Sequence, residues 1–155
     1  MRRQLLSLMA LVLVACSQTS PQPTLNTGTP SAGTTVPPNI LAANAASSFV
    51  EAVNKQDFAR AFDALSTSAK TNLKDVSGLR REYLNAHDTA TAITATYQLR
   101  GGLAVSGTIA SAGVAANWQT SLFGPLTVTG TLALEAENAV WKVKWNRDAI
   151  MTGLV

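Results

Sequence analysis

Two hydrophobic periods divide this chain. Ala42, Ala46, Phe49 and Val53 recur at helical spacing, with Glu51 and Lys55 off that stripe, and this predicts an amphipathic helix over residues 42–54. Asp57 stands where an N-cap belongs, ahead of a second stripe of Phe58, Ala61, Phe62 and Leu65. Residues 66–76 are polar without a clear period and read as a looser connection. Ser77 is then placed to cap a third helix carrying Leu79, Tyr83 and Leu84.

After Asp88 the period becomes two. Ile93, Ala95, Tyr97 and Leu99 alternate with Thr94, Thr96 and Gln98. Arg100-Gly101-Gly102 breaks the run and suggests a hairpin turn. Leu103, Val105 and Ile109 continue the alternation, followed by Val114, Ala116, Trp118 and Leu122. Gly124-Pro125 marks an interruption, a bulge or a corner, and Leu126, Val128, Leu132 and Leu134 follow. In the last strand Trp141, Val143 and Trp145 face one way and Lys142 and Lys144 the other. Helices first and an antiparallel meander second make an α+β protein, with the helices covering one face of the sheet.

The first residues follow a different logic. Arg2 and Arg3 precede an apolar run from Leu5 to Ala15, and the run ends in Leu13-Val14-Ala15-Cys16, which holds the single cysteine of the chain. Eleven helical residues span about 16 Å, against a hydrocarbon core of roughly 30 Å, so the run is too short for a membrane anchor and reads as a secretory h-region. The motif resembles the lipobox of bacterial lipoproteins. That resemblance implies that the preceding peptide is removed and that Cys16 becomes an acylated first residue carrying palmitate-type chains. The site would then be extracytoplasmic, anchored to lipid of the cell membrane or the outer membrane. The alternative is an ordinary secretory signal cleaved near Ala15, which leaves a free thiol in an oxidising compartment.

Residues 17–38 hold five of the six prolines, many Thr and Ser, and no charge. Such a segment buries too little apolar surface to offset chain entropy, and its reach lies between about 25 and 65 Å. The expected organisation is a signal peptide over 1–15, an acylated cysteine and disordered linker over 16–40, and a folded domain over 41–155. The formal charge of +3 includes Arg2 and Arg3, and no basic stripe interleaved with aromatics supports nucleic-acid binding. With one cysteine there is no disulfide framework.

Three helices before a bent antiparallel sheet resemble the nuclear transport factor 2-like cone. Phe49 to Phe62, an apolar helix, a short polar break with Asp57 and an aromatic-led helix, looks like the opening of that fold. The ending, Trp141-Lys142-Val143-Lys144-Trp145 followed by Ile150 and Gly153-Leu154, resembles the close of the N-terminal domain of class B penicillin-binding proteins of the methicillin-resistance type. Phe123-Gly124-Pro125-Leu126 fits more loosely. Thr152 and Asp148-Ala149 depart from the family pattern, which puts the docking of the tail in question. The resemblance implies a non-catalytic binding or scaffolding module. Its partners would be a cell-wall synthesis protein or peptidoglycan, in the setting of antibiotic response. The transpeptidase machinery is missing: Thr67-Ser68-Ala69-Lys70 has threonine where a Ser-x-x-Lys nucleophile is needed, and Lys70-Thr71-Asn72 lacks the glycine of Lys-Thr-Gly.

The remaining candidates for chemistry are few. His87, the one histidine, lies beside Asp88, but sequence neighbours point apart, and a solvated helix-to-strand loop is the expected setting. No second histidine or cysteine completes a metal site, and no cofactor motif is present. Tyr83 and Tyr97 are placed to reach a cone pocket of the ketosteroid isomerase-like kind, the basis of an alternative reading as a small enzyme or ligand carrier. That reading requires an inward carboxylate, for which Glu82 is the candidate. Trp118, Trp141 and Trp145 are expected in the core or pocket, where Trp141→Ala would cost about 3–5 kcal/mol. Glu135 and Glu137 are expected to pair with Lys142 or Lys144 at the surface. The stretch over 101–134 carries no charge and reads either as a docking face or as an ordinary solvated one.

Overall fold

The computed structural model describes residues 36–146. The signal-peptide, Cys16 and most linker expectations lie outside these residues, as does the tail from Arg147 to Val155 with Asp148, Ile150 and Thr152. Four helices precede four strands. The first helix, α1 (Pro38–Asn54), begins a turn earlier than the apolar stripe suggests, with proline in its first turn. Amides there have no intrahelical partner, so proline loses nothing and its fixed φ favours the helix. Ala42, Ala46, Phe49, Ala52 and Val53 form its buried stripe.

Asp57 caps α2 (Phe58–Asp63), accepting from the Arg60 amide at 3.1 Å. The segment expected to be loose instead contains a third helix, α3 (Thr67–Leu73). Ser66 caps it and Ala69 and Leu73 are its buried residues. Two apolar positions in seven leave little periodic signal. The next helix, α4 (Val76–Thr89), is capped by Asp75 and not by Ser77. The Asp75 carboxylate accepts from the Gly78 amide at 2.8 Å and from the Ser77 hydroxyl at 2.6 Å, so serine supports a stronger acceptor. A Cβ at Gly78 would collide with the Leu73 carbonyl, and glycine is what lets α4 start so close to the end of α3.

The strands β1 (Ala92–Ser106), β2 (Ile109–Thr120), β3 (Gly124–Glu137) and β4 (Val140–Val143) form one antiparallel meander in chain order. The expected hairpin at Arg100-Gly101-Gly102 is not a turn. The strand runs on, and Gly101, Gly102 and Leu103 together stand opposite Ala112 alone. This bulge uses the positive φ of Gly101, and Gly113 is the close-approach point, where a Cβ would lie 2.7 Å from the Arg100 carbonyl. The reversal comes at Gly107 and Thr108.

One sheet face meets the helices. Tyr97, Ala110, Val114, Ala116, Trp118, Leu132, Leu134, Trp141 and Val143 are buried there, and Trp145 packs partly buried beyond β4. Leu65 bridges to Val143 and so ties α2 to the last strand. The alternation fails at four apolar positions: Ile93, Ile109, Leu122 and Leu126 are exposed. Ile93 sits in a register slip between Ala92 and Thr94, Ile109 opens β2, Leu122 lies in the turn between β2 and β3, and Leu126 stands near the start of β3. The architecture is the α+β cone expected from the sequence, with one more helix.

Candidate functional site

The interior of the cone gathers aromatic side chains from both layers. On α4, Tyr83 and His87 lie one turn apart, which places them on one face. The Tyr83 ring meets Phe58 edge-on at 5.2 Å between centroids and His87 at 4.2 Å. His87 in turn meets Trp118 of β2 at 5.1 Å, and Trp118 meets Tyr97 of β1 edge-on at 6.0 Å. Tyr83, Tyr97 and Trp118 are thus brought together as the sequence suggested. Trp141 and Trp145 are not part of this chain of rings.

His87 corrects the sequence reading. It is half-buried within α4, stacked between two aromatic rings, and not in a solvated loop. The signal was available: Leu79, Tyr83, Ala86 and His87 continue a helical stripe. Burial lowers the imidazole pKa, and the neighbouring Asp88 charge opposes that shift more weakly. The ring is therefore held neutral near neutral pH. Burial also raises the Tyr83 phenol, which the Gln56 side chain partly offsets by a hydrogen bond. Tyr97 is raised strongly by burial and further by nearby Tyr83. Neither phenol is poised to lose its proton.

Two polar atoms in this cluster have no hydrogen-bond partner among the described residues: His87 Nε2 and Trp118 Nε1. Trp118 is only 1% exposed. An indole N–H is a donor and the second nitrogen of a neutral imidazole can accept, so the pair offers complementary groups in an apolar setting.

Five carboxylates are occupied elsewhere. Glu51 lies beside Lys55 and Arg60, whose charges, with the Lys55 hydrogen bond foremost, hold its pKa down. Asp57 and Asp75 are caps. Glu135 reaches Lys144 at 3.7 Å as expected. Glu137 does not pair with a lysine: it accepts from the Thr67 amide at 2.8 Å and the Thr67 hydroxyl at 2.9 Å, closing the start of α3. Lys142 donates to the Asp63 carbonyl instead. Thr67 and Lys70, the ends of the Thr-Ser-Ala-Lys run, both take part in these surface contacts. The Thr67 hydroxyl is engaged, and Lys70 donates to the Asp63 carbonyl and lies over the Phe62 ring. Among the described residues no group of three or more metal-ligating side chains occurs. No described helix is long and apolar enough to cross a membrane.

Two open grooves lie on the surface of the described residues. One, of about 410 Å³, runs between α1 and β1 and is lined by Ser47, Val50, Glu51, Asn54, Tyr97 and Leu99 among others. Asn54 closes one end of it by clamping the β1 backbone. Its Nδ2 donates to the Tyr97 carbonyl at 2.8 Å, and its Oδ1 accepts from the Tyr97 amide at 2.7 Å. The second groove, of about 310 Å³, is lined by Thr94, Asn117, Gln119, Pro125, Leu126 and Thr127 as well as Trp118. It belongs to the uncharged stretch noted in the sequence, and Thr127 donates to Asn117 across it at 2.9 Å.

No family model matches this chain, and no curated protein matches it. Several solved structures resemble it at low identity. A nuclear transport factor 2-like protein of unknown function from Shewanella oneidensis MR-1 is 12% identical, with 69% of this chain and 94% of that one covered at a TM-score of 0.47. TerC, crystallised with polyporic acid, is also 12% identical, with 70% and 89% covered at 0.49. A protein from Campylobacter jejuni described as a nuclear transport factor 2-like transpeptidase is 12% identical as well, with 67% and 97% covered at 0.42.

Proposed function

We propose that this chain is a non-catalytic, lipid-anchored protein of the cell envelope, in which the cone serves as a binding or scaffolding module. The observation that carries the reading is the setting of His87. The one imidazole of the chain lies between the Tyr83 and Trp118 rings and is held neutral by burial, and among the described residues no carboxylate forms a hydrogen bond or ion pair with it. General acid–base work needs a positioned pair within hydrogen-bond reach. Glu82, the candidate inward carboxylate, forms no hydrogen bond or ion pair with this cluster among the described residues. The lipobox-like Leu13-Val14-Ala15-Cys16 supports the anchor, and the Trp-rich last strand supports a relation to the non-catalytic domain of penicillin-binding proteins. By that relation the partner is a cell-wall synthesis protein or peptidoglycan.

The test has two parts. Mass spectrometry of the N-terminal peptide reads the modification, expected as acylation at Cys16 with loss of residues 1–15. Wild type then fractionates with membranes and Cys16→Ala does not. Sedimentation with purified peptidoglycan, and binding to a purified class B transpeptidase, read the scaffold role. Binding to neither overturns it.

A second reading, a small-ligand carrier, draws on the unpartnered His87 Nε2 and Trp118 Nε1 in the aromatic interior. Its check is a ligand-induced shift in the Trp118 side-chain N–H resonance, lost in His87→Phe.

A further inference from the structure

The turn between β2 and β3 carries Leu122 and Phe123, which are 71% and 78% exposed. These are the most exposed large apolar side chains among the described residues, and they are adjacent. Ile93, 65% exposed, sits at the same end of the sheet, in the register slip beside Thr120. A soluble surface tolerates single apolar residues, but two in succession at a protruding tip call for a partner.

The backbone of the tip is closed in part. The Thr120 hydroxyl accepts from the Phe123 amide at 3.0 Å and donates to the Gly124 carbonyl at 3.0 Å. The Ser121 amide donates to the Thr91 carbonyl at 2.9 Å. Three backbone groups of the tip are thereby satisfied internally. This lowers the cost of approaching the interface of a bilayer, where water still meets the remaining backbone groups. No charged side chain occurs from Gly101 to Leu134, so on this hairpin no charge nearer the tip than Glu135, at the far end of β3, resists that approach.

The opposite end of the sheet supplies the contrast. Ile109 and Val140 are also exposed there, but they pair with Glu135 and Glu137, and Lys142 on β4 and Lys144 just after it follow. One end is apolar and neutral, and the other is apolar spots within a charged field.

We infer that the Leu122–Phe123 tip is a membrane-contacting wedge that seats in the interface of a lipid bilayer. This rests on the envelope anchor proposed above: a tether at residue 16 raises the effective concentration of lipid at the tip, so two side chains suffice where they would be too weak alone. The occupant is the bilayer itself, since the tip offers adjacent apolar side chains without the charge a specific headgroup would require.

The test supplies the tether chemically, so that its failure is distinct from failure of acylation in the cell. The chain from residue 16 onward is coupled through its single thiol to a maleimide lipid in phosphatidylcholine vesicles. Phe123→Trp reports the tip as a difference from the unsubstituted chain. The expected result is a blue-shifted emission on coupling, quenched by brominated acyl chains. Adding Leu122→Ser should lower the inserted population by about tenfold, as the loss of one buried large apolar side chain implies. Both residues are exposed, so the fold is expected to survive, and unchanged unfolding checks this. Three results each overturn the inference: emission that does not move on coupling, insertion that Leu122→Ser leaves intact, or a shift that follows chain density without quenching by brominated lipid, which would mean that a second copy covers the tip.

Discussion

Asn54 substitutes for a missing strand, and its removal gives a sharp test of how the cone is held together. β1 is an edge strand, and α1 crosses beside it. The carboxamide makes two hydrogen bonds to one residue, donating to the Tyr97 carbonyl at 2.8 Å and accepting from its amide at 2.7 Å. Only a side chain with a donor and an acceptor in one plane does this. Net values of about 0.5–1.5 kcal/mol per hydrogen bond give about 1–3 kcal/mol for Asn54→Ala. The site is part-buried, so water recovers some of the loss and the lower half of that range is expected. Asn54→Asp retains the acceptor, loses the donor and sets a carboxylate against the Tyr97 carbonyl, so it should be at least as damaging as alanine. The assay is urea unfolding with native-state hydrogen exchange at the Tyr97 amide. If Asn54→Ala unfolds with wild-type stability and the Tyr97 amide keeps its protection, the clamp is not what secures this edge.

Three further outcomes follow from the contacts. Glu137→Ala should destabilise by about 1 kcal/mol, a typical value for a lost helix cap, and α3 amides should exchange faster while those of α4 do not. Trp141→Ala should cost about 3–5 kcal/mol in chemical denaturation, because the indole is buried on β4. The pH dependence turns on His87. Its folded pKa is lowered by burial, so the unfolded state binds the proton more readily. The contribution of neutral His87 is therefore complete above the unfolded value of about 6.5 and is lost as pH falls from there toward the lowered folded value. Unfolding curves over that window should show stability falling with pH in wild type and a flatter response in His87→Phe.

Much of the fold was legible in the sequence because local and tertiary signals agree in it. The stripe through Phe49 and Val53, the Asp57 cap and the Trp141–Val143 alternation each report a residue whose neighbours in sequence share its fate. The misreadings lie where a distant contact decides. Residues 67–73 lack an apolar period, yet they become a helix whose first amide is held by Glu137, seventy positions away. Gly101-Gly102 has turn chemistry, but pairing with β2 continues past it because a bulge absorbs the slack. His87 reads as a loop residue until α4 is seen to run through Thr89, and only the approach of Trp118 from the sheet explains why its ring is desolvated. Of the site, Tyr83, Tyr97 and Trp118 could be named from the sequence, whereas the unpartnered atoms of His87 and Trp118 could not.

The two ends of the sheet set the geometry of any partner. β2 runs from Ile109 to Thr120, and a twelve-residue strand is about 40 Å long. With the Leu122–Phe123 tip seated at a bilayer, the Ile109 end lies that far out. It carries Glu135, Glu137, Lys142 and Lys144 on and just beyond the β3–β4 hairpin, so in that pose the charged end points away from the lipid. The uncharged Thr94, Asn117, Gln119 and Thr127 face lies between them. A tether alone lets every face of the cone meet its surroundings equally. A tether combined with a seated tip restricts the approach of a partner to the sides and the outer end, and so converts a flexible attachment into an oriented one. Substitution at Phe123 should accordingly weaken the capture of a membrane-bound partner by the anchored chain while leaving its affinity for the same partner in solution unchanged.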